Sequence, residues 1–252
     1  MFRPSDFSEE KSYPIINYIF NTPDFAFVPK GSFTNNISIG RTYFHPAALA
    51  ELGFIVVLID GRGGPFRGRA FLDQSYGWIE GYSRLEDHVA GIRQLARRYP
   101  YMDIDRVAIV SPMGGSGGIF GLLNFPEFYK VGVAAFIQDT RMMPASMFGD
   151  MFEAPGSGHE IHQYPEALAG RLQGKLLVSI GLLDSVTPPA GLFRLVDALQ
   201  EKNKDFDMLV LPKIGHWMND YQMRRSWDYL VRNLQGVEPP KEFDLSEDDN
   251  KE

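Results

Sequence analysis

The chain has 252 residues, 44% of them hydrophobic, and a formal net charge of -7. That is enough apolar material for one sizeable core, and an acidic balance without a clustered basic stripe argues against nucleic acid or an anionic membrane surface as partner. The chain contains no cysteine, which excludes disulfides, thiolate nucleophiles and cysteine metal ligands together.

The opening segment MFRPSDFSEEKSYP lacks the apolar run of a signal peptide, and no later stretch approaches the length of a spanning helix. A soluble, cytoplasmic protein is expected. Residues 13–20 (YPIINYIF) form the first predicted strand and residues 53–60 (GFIVVLID) the second. Residues 84–99 (RLEDHVAGIRQLARRY) carry apolar side chains at helical spacing with charges opposite. Strands are predicted at 106–111, 131–136 and 176–181, a helix at 189–203, a strand at 207–211 and a last helix at 221–234. Strands alternating with helices predict the α/β class, with a mostly parallel sheet flanked by helices. Residues 142–164 are too long for a plain turn between strands and suit a lid or pocket wall. We expect one domain over residues 1–238, then an acidic, mobile tail at 239–252.

The strand at 106–111 runs directly into SPMGGSGG. A strand entering a helix through a tight turn between small residues has the shape of a nucleophile elbow. In this register the turn reads Ser111, Pro112, Met113, Gly114, Gly115. A thioether has no proton for a base to remove, so Met113 offers no covalent chemistry. The backbone amide of Gly114 remains able to stabilise an anion. Ser116 is the alternative nucleophile, because GGSGG matches the Gly-x-Ser-x-Gly pattern if the turn slips by three residues. That slip shortens the following helix by about one turn, roughly 3.6 residues. Otherwise Ser116 is a small residue early in the helix, satisfying a free amide. Both registers stay open.

Downstream, Asp184 in GLLD and His216 in IGHW each sit where a loop leaves a predicted strand. An acid that orients an imidazole, which then moves a proton, needs such a pair; an Asp at a turn and a His beside Gly also occur in ordinary loops. Met142, Met143, Met147 and Met151, with Phe136, Phe148 and Phe152, concentrate adaptable apolar side chains suited to a ligand pocket, or to a helix packed on the core. The glycine-rich, basic DGRGGPFRGRAF lacks the lysine and spacing of a phosphate-binding loop. The histidines of GHEIH do not have helical metal-ligand spacing, so neither a metal nor a cofactor is expected. His45 reads as a loop residue before Pro46, and His88 as a helix-face residue.

Six segments in order, YPIINYIF, GFIVVLIDGRG, SRLEDHVAGIRQLARRYPYMDIDRVAI, NFPEFYKVGVAA, RLQGKLLVSIGLLD and LVLPKIGHW, resemble the catalytic domain of the prolyl oligopeptidase and dipeptidyl peptidase IV family of serine peptidases. The resemblance covers nearly the whole chain. It implies an α/β-hydrolase fold, a Ser, Asp, His triad and an N-terminal β-propeller. Met1 falls near the start of the hydrolase domain, so no propeller is expected here. Asp184 matches the triad acid and His216 the triad histidine. Met113 stands at the nucleophile position, and Phe20 where the family has an oxyanion-stabilising tyrosine.

With the nucleophile and the oxyanion donor replaced in this register and the proton-transfer pair retained, the chain reads as a non-classical enzyme descended from peptidases. His216 and Asp184 would carry acid/base chemistry such as elimination, isomerisation or cyclisation on an apolar small molecule, in a biosynthetic setting. Its pocket would hold Met113, Phe20, Gly114, Phe136, Trp217 and the methionine segment. The alternatives are a serine hydrolase using Ser116 and a catalytically dead binding protein. A homo-oligomer is left open.

Overall fold

Successive residues of a strand face opposite sides of its sheet, so a strand covered on both sides needs apolar residues at odd and even positions alike. The runs PIINYI and RVAIV meet that demand. A computed structural model describes residues 1–20, 26–28, 43–75, 84–112, 114–137 and 164–245. Six strands, β1 (Tyr13–Tyr18), β2 (Ile55–Val57), β3 (Met102–Ser111), β4 (Tyr129–Ala135), β5 (Lys175–Gly181) and β6 (Asp207–Leu211), form one sheet in the order β2-β1-β3-β4-β5-β6. Every neighbouring pair is parallel. The helices are α1 (His45–Glu51), α2 (Arg69–Leu72), α3 (Leu85–Arg98), α4 (Ser116–Asn124), α5 (Pro165–Leu168), α6 (Pro189–Glu201) and α7 (Asp220–Leu230).

The alternation assigns the layers. Ile15, Val107 and Ile109 join Ile92 of α3, Leu122 of α4 and Leu192 of α6 in one core cluster. Ile16, Ala108 and Val110 join Leu49 of α1 and Leu230 of α7 in a second cluster on the opposite face. The strand order reverses between β1 and β3, which opens a crevice beyond their C-terminal ends, where open parallel sheets receive ligands. Phe2 makes an antiparallel bridge to Val56, covering an edge that would otherwise expose unpaired backbone groups.

Several boundaries differ from the sequence expectation. The strand expected at 13–20 ends at Tyr18. The strand expected at 53–60 shortens to Ile55–Val57; Asp60 instead accepts the amides of Phe27 and Val28 at 2.7 and 2.9 Å, which holds that end of the segment in a loop. β3 begins at Met102 rather than 106, because the backbone of Tyr13 pairs with Met102 across a register shift that absorbs the polar residues between. His45 is not in a loop but opens α1, with Pro46 in the first turn, where its missing N–H costs nothing. The last helix starts at Asp220, with the Asn219 side chain accepting the Gln222 amide at 2.9 Å. It ends in a π-helical turn, Val231–Gln235.

A buried polar cluster lies within the first cluster's layer. Asn17 of β1 is fully buried; its Nδ2 donates to the Tyr129 hydroxyl at 2.7 Å, and its Oδ1 stands 3.1 Å from Nδ1 of His88. His88 is on a helix as expected, but buried rather than on an open face. Burial pushes its imidazole down to about 4, so at neutral pH it is uncharged and Nδ1–H donates to Asn17.

Candidate active site

Because all six strands run the same way, the loops leaving β3, β5 and β6 emerge at one edge of the sheet. Two backbone bonds stitch the last two loops together: the Leu182 amide donates to the Leu211 carbonyl, and the Leu183 amide to the Ile214 carbonyl, each at 3.0 Å. Gly181 sits at the crossing. A Cβ there would stand against the carbonyl oxygens of Ile214 and Gly215, so glycine permits the approach that brings the loop carrying His216 to the loop carrying Asp184.

Nδ1 of His216 lies 3.0 Å from Oδ2 and 3.2 Å from Oδ1 of Asp184. The carboxylate is held from its own loop as well. Oδ1 accepts the amides of Val186 and Thr187, both at 2.8 Å, and Oδ2 accepts the Thr187 hydroxyl at 2.5 Å. Burial pushes the Asp184 carboxyl up, but the Thr187 hydroxyl and amide, His216 and the Val186 amide together outweigh it and hold the group below the usual carboxylate range. The pair is thus an ionised acid, fixed by donors, beneath an imidazole.

The surroundings of the imidazole are apolar. The ring of Phe136 lies 5.1 Å from that of His216, centroid to centroid. Phe136 is fully buried and its backbone is left-handed, with φ 54°, an uncommon state for a bulky residue. Trp217 follows at 6.1 Å and is 58% exposed; with the exposed Leu183 and Val186 it gives the loops an apolar rim. Of the expected pocket residues, Phe136 and Trp217 therefore stand beside His216. Phe20 packs instead toward the second core cluster, its ring 5.9 Å from that of Phe27.

β3 ends at Ser111 and α4 begins at Ser116, so the turn comprises residues 112–115. Met113 lies outside the described residues, as do Met142, Met143, Met147, Phe148, Met151, Phe152 and all of GHEIH. Gly114 takes φ 62°, and its carbonyl accepts the Ser111 hydroxyl at 3.1 Å. Gly115 presses on β4, where a Cβ would meet the Ala135 carbonyl oxygen at 2.6 Å. Its amide donates to the carbonyls of Ala135 and Phe136. Ser116 is buried as the first residue of α4.

Thr187 was missed in the sequence. Its signal was an Asp followed three residues later by a hydroxyl, the spacing at which a loop folds back onto its own carboxylate. A small pocket lies toward α1 and α7, lined by Tyr18, His45, Val110, Pro112, Met218 and Trp227 among others. Among the described residues no group of three or more His, Cys, Asp or Glu is placed to hold a metal ion, and no helix is long and apolar enough to cross a membrane.

Comparison with known proteins gives a consistent picture. A model of the prolyl oligopeptidase family matches residues 41–236. Dipeptidyl peptidase 8 of Homo sapiens is 26% identical over 223 residues, covering 86% of this chain and 24% of that protein, and dipeptidyl peptidase 8 of Mus musculus matches to the same extent. The chain thus spans about a quarter of the length of these curated relatives. The crystal structure of Porphyromonas gingivalis dipeptidyl peptidase 4 aligns with a TM-score of 0.73, at 23% identity, over 92% of this chain and 33% of that one. That likeness shows the α/β-hydrolase fold.

Proposed function

Starting from a chain that belongs to the prolyl oligopeptidase family, we propose an enzyme that keeps the proton-transfer pair of that family and uses it without a covalent serine. His216 takes a proton from an apolar small molecule at Nε2, Asp184 stabilises the imidazolium, and the same nitrogen returns the proton to another atom of the substrate. Elimination, isomerisation and cyclisation all run on such a cycle, because each needs a base, an acid and a shaped pocket but no nucleophile. Phe136 and Trp217 form the described part of the pocket, and the soft side chains of residues 142–151 are proposed to complete it. Small-molecule chemistry of this kind suits a biosynthetic role in the cytoplasm.

The observation that carries the reading is the pairing of His216 Nδ1 with a carboxylate that three further hydrogen bonds fix and keep ionised against the opposing effect of burial. A binding protein has no use for that arrangement. Two features support the non-covalent form: Met113 in the turn sequence, and a candidate serine, Ser116, inside a helix.

A second reading, hydrolysis through Ser116, is favoured by the dipeptidyl peptidase names of the relatives. Assays of the purified protein on esters, dipeptidyl amides and small apolar acid/base substrates separate the two. Our proposal expects turnover that His216→Ala abolishes while Met113→Ala and Ser116→Ala keep most of it. Hydrolysis lost in Ser116→Ala supports the second reading. Unchanged activity in His216→Ala supports a binding protein, and equal loss in Met113→Ala and His216→Ala contradicts the roles assigned.

A further inference from the structure

We propose that Thr187 is a positioning residue of the pair: its single hydroxyl proton fixes the plane of the Asp184 carboxylate and, through it, the nitrogen on which His216 carries its own proton. The assignment rests on the proposed function in one respect, that His216 works as the base.

Both backbone donors of the loop, Val186 and Thr187, bond the same oxygen, Oδ1. A carboxylate anchored at one oxygen still has a soft torsion about its last carbon–carbon bond. The Thr187 hydroxyl pins the other oxygen, Oδ2, at 2.5 Å, and with both oxygens fixed the plane is set so that Nδ1 meets them at 3.0 and 3.2 Å. Asp184 and Thr187 are 4% and 3% exposed, which leaves little room for solvent to supply a substitute donor.

An ionised carboxylate can only accept, and a threonine hydroxyl has one proton to give. At 2.5 Å from Oδ2 that proton goes to Asp184, so the side of Oγ1 turned toward His216, 3.4 Å from Nδ1, offers a lone pair. Nδ1 then faces acceptors on both sides, two carboxylate oxygens and a hydroxyl oxygen. A neutral imidazole has one N–H, and these acceptors place it on Nδ1. Nε2 is left with its lone pair toward the substrate, the state a general base needs.

Thr187→Val keeps the side-chain shape and removes the hydroxyl; Thr187→Ser restores the hydroxyl. Long-range proton–nitrogen NMR correlations distinguish the two neutral imidazole tautomers without any substrate, and His216→Ala assigns the signals. The expected result is the Nδ1-protonated form in the native protein and in Thr187→Ser, with a mixed or reversed tautomer in Thr187→Val at unchanged fold by circular dichroism. An Nδ1-protonated form that persists in Thr187→Val overturns the assignment, as does a native protein with its proton on Nε2. On a turned-over substrate, Thr187→Val is expected to lower kcat about tenfold, part of what general acid–base assistance contributes, with KM little changed and kcat recovered in Thr187→Ser. A tautomer that responds in a protein without His216-dependent turnover would sink the proposed function and leave the role of Thr187 standing.

Discussion

The ring of Phe136 lies against the imidazole of His216 at 5.1 Å, their planes inclined by 56°. The same residue accepts the Gly115 amide through its carbonyl at 3.3 Å, so one side chain and its backbone join the turn after β3 to the proton-transfer pair. Phe136→Ala should therefore act on stability and turnover together. Loss of a fully buried phenylalanine costs about 3–5 kcal/mol, readable as a lower midpoint in urea denaturation, and the freed imidazole should lower kcat. A loss under about 1 kcal/mol would show that the ring packs less tightly than its burial implies.

Acid sensitivity should have an identifiable source in His88. Its folded value of about 4 lies below the ordinary 6.5, so the unfolded chain takes up this proton first as pH falls. Stability from this group is complete above about 6.5, declines between there and about 4, and then levels off, a total on the order of 3 kcal/mol. Denaturant titrations at pH 7 and pH 4.5 should show a fall in the native protein that His88→Gln, still able to donate to Asn17, reduces. An identical fall in the variant would assign the effect to carboxylates elsewhere.

The sites legible in the sequence were those announced by context. Asp184 and His216 end apolar strand runs, and parallel strands deliver such ends to one edge. Asn17 and His88 were not legible as a pair, because a polar residue inside an apolar strand does not say which helix residue will cross it. Thr187 was hidden for a related reason: a loop hydroxyl has no periodic pattern, and its use depends on how the chain folds back over three residues. The GGSGG stretch left two registers open through its composition. Its pattern allows a slipped elbow, whereas the glycine at 115 serves close packing on β4, and Ser116 falls in the helix behind the turn.

Gly181→Ala tests the crossing of the two loops. The added methyl meets backbone oxygens, which no rotamer change can move aside, so the loop carrying His216 must shift. Overpacking of this kind costs about 1–3 kcal/mol, but the larger effect is expected on function, since a misplacement of about 1 Å lowers rates on the order of a hundredfold. A crystal structure of the variant with the His216–Asp184 distance unchanged from 3.0 Å would contradict this account of Gly181.

Helix α7 follows the loop that carries His216 directly along the chain, and one side chain caps its start. Asn219→Ala removes the acceptor of the Gln222 amide and should cost about 1 kcal/mol, visible as a lower Tm, while Asn219→Asp should retain most of the stability. Equal losses in both would mean that the side-chain bond does not hold the helix start.

The central claim, proton transfer by His216 and Asp184 without a covalent serine, is met most directly by the intact mass of the native protein after incubation with a fluorophosphonate probe. The account predicts an unshifted mass. A stoichiometric adduct that peptide mapping places on Ser116 would contradict it.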